Sequence, residues 1–168
     1  MAVAKTSKQQ LYVNSVIERI KKDTAMAAAL KKADNPNTEF RAWEYLADYQ
    51  VNIENPKERI PYATISAAIA RAKPQNDGIL NLGQAIARSG KEGIPSDQER
   101  AKLRRILACD TVEEACSILR SLLSLINSRD LKISYGQLLY ELCWFEKNPQ
   151  TTKARWAQFF FRNKGEEE

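Results

Sequence analysis

Residues 96–126, SDQERAKLRRILACDTVEEACSILRSLLSLI, decide the reading of this chain because they carry two helix starts in succession. Ser96 stands three residues before Glu99, and Thr111 three before Glu114. Each hydroxyl can accept from a free first-turn amide while the glutamate reaches back to the capping residue's own N–H. In the second helix Val112, Ala115, Cys116, Leu119, Leu122, Leu123 and Ile126 recur at three- and four-residue steps, which gathers them on one buried side. The first helix has a shorter apolar stripe, Leu103, Ile106 and Leu107, flanked by Arg100 and Arg104 one turn apart, with Arg105 opposite the core. The pair faces the interior with aliphatics and solvent with arginines.

Toward the N-terminus, residues 8–22 set Leu11, Val16, Ile17 and Ile20 on one stripe and Lys8, Arg19, Lys21 and Lys22 off it, an amphipathic helix. Asp23 or Thr24 caps the next, TAMAAALKKA, with Met26, Ala29, Leu30 and Ala33 inward and Lys31 and Lys32 outward. Asp34-Asn35-Pro36-Asn37 stops it, since proline lacks the donor and its predecessor avoids the α region. Asn37 or Thr38 starts a third helix with Phe40, Trp43, Leu46 and Ala47 as its core stripe. From there to Pro61 the chain, with Asn55-Pro56, reads as a loop. Pro61 suits the first position of a further helix, with Ile65, Ala68, Ile69 and Ala72 inside and Arg71 and Lys73 reaching solvent.

After a loop at 74–78, residues 80–90 predict a short helix that Gly90 closes in the left-handed conformation. Beyond Ile126 a polar turn leads to Ser134, cap of a helix burying Tyr135, Leu138, Leu139, Leu142 and Cys143 and ended by Pro149. The last helix, TTKARWAQFFF, sets Trp156 beside Phe159 and Phe160 and leaves Lys153, Arg155 and Arg162 as a basic rim. No alternating strand pattern occurs. The expected fold class is all-α, about eight helices in two small packed bundles. Residues 1–90 are the N-terminal helical half and 91–168 the C-terminal bundle of one compact chain.

A length of 168 residues suits one domain with a real core. The formal charge is +5, and setting aside the final Glu166, Glu167 and Glu168 leaves +8 on residues 1–165. That excess favours an anionic partner. Histidine is absent, which removes the commonest general base and metal ligand at neutral pH. No glycine-rich phosphate loop, Gly-x-Ser-x-Gly or Ser-x-x-Lys arrangement is present. Cys109, Cys116 and Cys143 lie among apolar neighbours without CxxC spacing, so they read as buried free thiols rather than zinc ligands or a nucleophile. The expectation is no enzyme, no metal and no cofactor. No apolar run approaches the roughly 20 residues of a membrane helix, and no basic-then-apolar leader opens the chain, so a cytoplasmic location is expected.

The candidate binding residues are the basic positions that recur off the apolar stripes: Lys31, Lys32, Arg71, Arg88, Lys91, Arg100, Arg104, Arg105, Arg120, Lys153 and Arg155. A stripe of such residues on successive helices, with few acids interleaved, is what meeting phosphates requires. Among the aromatics Trp144, Phe145, Trp156, Phe159, Phe160 and Phe161, helical spacing makes most of them core. One or two at the surface, Phe161 for example, remain for a partner or for stacking on bases.

Five segments in order carry a resemblance: AALKKA at 28–33, LGQAIARSG at 82–90, LRRILACD at 103–110, ILRSLL at 118–123 and KARWAQFF at 153–160. Over about residues 24–161 the chain resembles the CasB family, the small subunit of the type I-E CRISPR Cascade effector. Where the family carries an arginine pair this chain has Lys31-Lys32, which keeps charge but loses bidentate phosphate geometry. The resemblance implies a non-catalytic helical protein of two small bundles, present as a pair in a crRNA-guided antiviral complex beside its backbone and large subunits. It implies contact with crRNA and with single-stranded target and displaced DNA. Pairing of guide with target is a nearly balanced exchange that protein contacts to the backbone can tip toward the open R-loop. Two other readings stay open, a structural helical adaptor for an acidic protein partner and a free-standing helix-turn-helix DNA binder using 97–126. A sequence reader separates operator from random DNA, a backbone binder does not, and an adaptor ignores both.

Overall fold

The computed structural model describes residues 6–162. Among them run nine α-helices: α1 (Lys8–Ile20), α2 (Thr24–Lys31), α3 (Trp43–Asp48), α4 (Pro56–Ala72), α5 (Leu82–Arg88), α6 (Asp97–Leu107), α7 (Val112–Ser128), α8 (Tyr135–Trp144) and α9 (Pro149–Arg162). A 3₁₀ turn, Glu39–Ala42, leads into α3. The expected all-α class holds, and the strand-like pairing among the described residues is an isolated parallel bridge, Leu80 with Ile133. None of the described helices is long and apolar enough to cross a membrane.

The caps formed largely where the sequence put them. Thr111 Oγ1 accepts from the Glu114 N–H at 3.2 Å, and all seven stripe residues of α7 are buried. The return arm is displaced, because Glu114 Oε2 accepts from the N–H of Asp110, one residue earlier, at 3.3 Å. Ser96 Oγ accepts from the Gln98 N–H at 3.3 Å and donates to Glu99 Oε2 at 2.5 Å, so Glu99 is folded under its own helix and buried. A full reciprocal box forms instead at α5, between Asn81 and Gln84.

Pro149, read as a stop, and Pro56, read as part of a loop, are both helix starts. Asn55 Oδ1 accepts from the Lys57 N–H at 3.1 Å and Pro56 is the first residue of α4, while Pro149 opens α9. Proline's missing donor costs nothing at a first position. Pro61 therefore lies inside α4, where it removes a ladder bond and costs roughly 3 kcal/mol. Burial offsets that cost: every residue from Pro61 to Ala70 is buried, and α4 touches α1, α2, α7 and α8. A helix buried on every side over this stretch is a central helix, which a single inward stripe did not convey.

Other expectations fail for local reasons. Leu11 is exposed and α1 instead buries Tyr12, Val13, Val16, Ile17 and Ile20. Phe40, Trp43 and Ala47 are exposed, so the third helix buries only Leu46, with Ala42 before it. Trp43 is held at the surface by Nε1 donating to Glu39 Oε2 at 2.8 Å and by the Arg59 guanidinium 5.7 Å over its ring. Cys143 is half-buried rather than core. The left-handed glycine is Gly93, not Gly90. Gly90 is small for another reason, since a Cβ there would sit 2.0 Å from Glu99 Oε1.

The main helix pairs are α1 on α8, α4 on α7 and α5 on α9, each joining residues from the two sides of position 90. At the α5–α9 crossing a Cβ on Gly83 would lie 2.0 Å from the Trp156 carbonyl, so only glycine allows this approach. Trp156 is fully buried, stacks on Phe145 with centroids 6.0 Å apart, and donates from Nε1 to Glu141 Oε1 at 3.1 Å. Asp77 ties the 74–78 loop to the amino end of α8, accepting from the N–H groups of Tyr135 at 2.7 Å and Gly136 at 2.9 Å, where a negative charge is favoured.

Candidate nucleic-acid interface

The basic positions fall into separate sets. The first gathers α2, α4 and α7 around Asp34, whose carboxylate is 3% exposed. Arg71 pairs with Asp34 Oδ2 and donates to the Lys31 carbonyl at 3.1 Å, and Arg120 Nε lies 3.6 Å from the same oxygen. Lys31, Lys32, Arg71 and Arg120 are thereby brought together. Arg71 is half-buried and structural in its contacts, whereas the Arg120 side chain is 53% exposed. The Lys31 and Lys32 ammonium groups are exposed and make no ion pair among the described residues.

The second set lies on α6. Arg104 and Arg105 are exposed, and neither guanidinium has an ion pair or hydrogen bond among the described residues. Arg100 is turned back onto Asp97 at 3.2 Å. Arg105 and Lys102 rim a shallow groove floored by Ile118, Leu122 and Leu125 of α7. Arg120, with Ser117 and Glu113, borders a different cleft toward α2 and α4. The two basic sets therefore flank α7 on opposite sides.

Between them the outward ridge of α7 is small and polar: Ser117, Ser121, Ser124 and Ser128 are exposed. Ser124 Oγ donates to the Arg120 carbonyl at 3.2 Å and Ser128 Oγ to the Leu125 carbonyl at 2.6 Å, which leaves both oxygens able to accept and keeps the side chains close to the helix. The serine ridge, Lys102 and the Asp34 hub escaped the sequence reading. Serine at 117, 121, 124 and 128 was the available signal, masked because polar residues on an outer face attract no notice.

The remaining positions are scattered. Arg155 sits 3.9 Å from Glu141 Oε2 on the far side of the Trp156 indole bond. Lys153 lies 5.7 Å over the Phe145 ring. Lys91 is exposed in the loop before α6, and Arg88 is half-buried at the end of α5. Burial is the first cause pushing up all three thiols: Cys109 above its ordinary value, Cys143 to about 11 and Cys116 to about 12. A thiol so protonated is a poor nucleophile. Phe161, singled out as a surface aromatic, is exposed. The acidic Glu166, Glu167 and Glu168 lie outside the described residues.

Residues 26–161 match the profile of a family described as CRISPR-associated protein Cse2. The chain belongs to that family. The fold resembles a chain of a structure described as "CRISPR RNA-guided surveillance complex", with a TM-score of 0.75 and 24% identity over 93% of this chain and 92% of that one. It also resembles the crystal structure of CasB from Thermobifida fusca, with a TM-score of 0.64 and 14% identity over 93% and 99% of the two chains. No curated protein matches the chain. The Cse2 match spans α4, α6 and α7 in full and α2 from Met26, and LGQAIARSG owes its pattern to identifiable contacts: Asn81 with Gln84 at the cap, Gly83 against α9, Gly90 against Glu99.

Proposed function

We propose that this Cse2 chain is a non-catalytic subunit of a crRNA-guided surveillance complex that holds nucleic-acid backbone and so favours the opened state of target DNA. The observation that carries the reading is the serine ridge of α7, flanked by Lys102 and Arg105 on one side and by Arg120 on the other. Small hydroxylated side chains let a phosphate strand approach the helix, and cations on both flanks meet its charge without reading sequence. Lys31, Lys32 and Arg104 extend the two flanks. The partners on this reading are the backbone and large subunits of the complex, crRNA, target and displaced strands, and a second copy of this chain.

The test is binding of labelled single strands of unrelated sequence to the full chain across a salt series. Log affinity should fall linearly with log salt, by about 0.7 per contacted phosphate, equally for all sequences. A marked preference for one duplex sequence would favour the helix-turn-helix alternative, and indifference to all nucleic acid would favour the protein adaptor.

A further inference from the structure

A second feature lies at the amino end of α7. There α1, α4, α7 and α8 enclose a cleft of about 380 Å³, within the roughly 300–1,000 Å³ of small-ligand sites. The amino ends of two 17-residue helices face it, α4 at its cap Asn55 and α7 at Val112, whose N–H donates at 3.5 Å to Glu146 Oε2 in the same lining, and helix amino ends favour negative charge. Lys8, Lys57 and Lys147 also line it. Lys8 faces Glu58 at 4.0 Å and Lys57 faces Glu146 at 3.5 Å, while Lys147 has no carboxylate partner among the described residues and lies 4.7 Å over the Trp144 ring. Trp144 is 41% exposed. In the same lining Tyr62 is 1% exposed, and its hydroxyl is buried without a hydrogen-bond partner among the described residues. An orphaned buried hydroxyl requires an explanation.

Aromatic plane, cations, two helix amino ends and an unused buried hydroxyl together match one chemistry, a nucleotide. We propose that the cleft takes one unstacked nucleotide of a single strand, its base against Trp144, its phosphate among the lysines, and Tyr62 meeting the polar edge of the base. The inference rests on the nucleic-acid reading above and adds to it: α7 carries the serine ridge on its outer face and presents Val112, at its amino end, to this cleft. The ridge holds phosphates, and the cleft holds a base whatever its identity.

The experiment compares a mixed-sequence single strand with an abasic strand of equal length on the full chain. The abasic strand should bind about tenfold more weakly, as loss of stacking predicts. Trp144→Ala and Tyr62→Phe should each bring the intact strand toward the abasic affinity while leaving the salt slope unchanged, and thermal melts establish that both variants are folded. A strand carrying 5-iododeoxyuridine should photo-crosslink to a peptide containing Trp144. Equal affinity for intact and abasic strands with a steep salt slope overturns the cleft and spares the ridge. Absence of strand binding overturns both. Micromolar, saturable binding of AMP that competes with the strand assigns the cleft to a free nucleotide and overturns the proposal, as does shielding of Trp144 by a protein subunit in the assembled complex without any crosslink to the strand.

Discussion

At the scale of single residues, Glu141 is the one whose charge state the fold contests. Burial raises its pKa above the ordinary glutamate value, outweighing the Trp156 hydrogen bond and the nearby Arg155, which both lower it. A carboxyl raised in the folded state contributes stability that is full below the unfolded pKa and lost as pH rises through the folded one. Urea midpoints should therefore fall from this source as pH rises above about 4.3. Glu141→Gln keeps an acceptor for the indole and should flatten that stretch of the profile; an unchanged profile would show that Glu141 ionises freely. Gly83 makes a plainer case. With a Cβ 2.0 Å from the Trp156 carbonyl, Gly83→Ala must push α5 off α9, at about 3 kcal/mol, the upper end of ordinary overpacking, measurable by denaturant unfolding. The thiols give a third expectation: with Cys116 at about 12 and Cys143 at about 11, iodoacetamide at pH 7.5 should label the native chain far more slowly than the unfolded one.

At the scale of elements, Asp34 couples three helices through two arginines. Asp34→Asn keeps the shape but leaves Arg71 and Arg120 without their carboxylate. A fully buried pair broken in this way costs several kcal/mol, but both arginines are substantially exposed, so solvent screening reduces the expected loss to about 1–2 kcal/mol. Arg120→Gln tests function with less structural cost, and Arg104→Gln with less still because that side chain has no ion pair among the described residues. Each should flatten the salt slope by about 0.7 on single strands. In the assembled complex the pair should shorten the lifetime of opened target DNA and leave guide binding intact, since pairing is done by RNA. Variants that match the unaltered protein in both assays would make these arginines ordinary solvated surface.

At the scale of the molecule, the helix pairs α1–α8, α4–α7 and α5–α9 interlock residues from before and after position 90, and one cluster holds the core from Tyr12 to Phe160. A chain so interlaced should unfold in one transition, with far-UV circular dichroism and tryptophan fluorescence coincident. Two separated transitions would mean that the halves 1–90 and 91–168 fold independently.

The sequence by itself determined the helices whose caps and stripes are local: α2, α6, α7 and α8 begin where Asp23, Ser96, Thr111 and Ser134 direct, because a cap is a bond between residues two or three apart. It also determined the excess of positive charge and the absence of histidine chemistry. Proline was ambiguous, because its missing donor suits the position after a helix and the first position within one, and only the surroundings of Asn55 and Asn148 choose between them. Only the tertiary structure decided which apolar residues are core. Leu11, Phe40 and Trp43 satisfy the same periodicity as their buried neighbours, yet none of the described helices covers them. It alone decided which cations share a surface: Arg71 and Arg120 meet at Asp34 across separations of 37 and 86 residues, and Lys102 and Arg105 reach the opposite flank of α7. Periodicity fixes the angle of a side chain about its own helix axis, and the relative placement of two axes comes from the packing of the whole core.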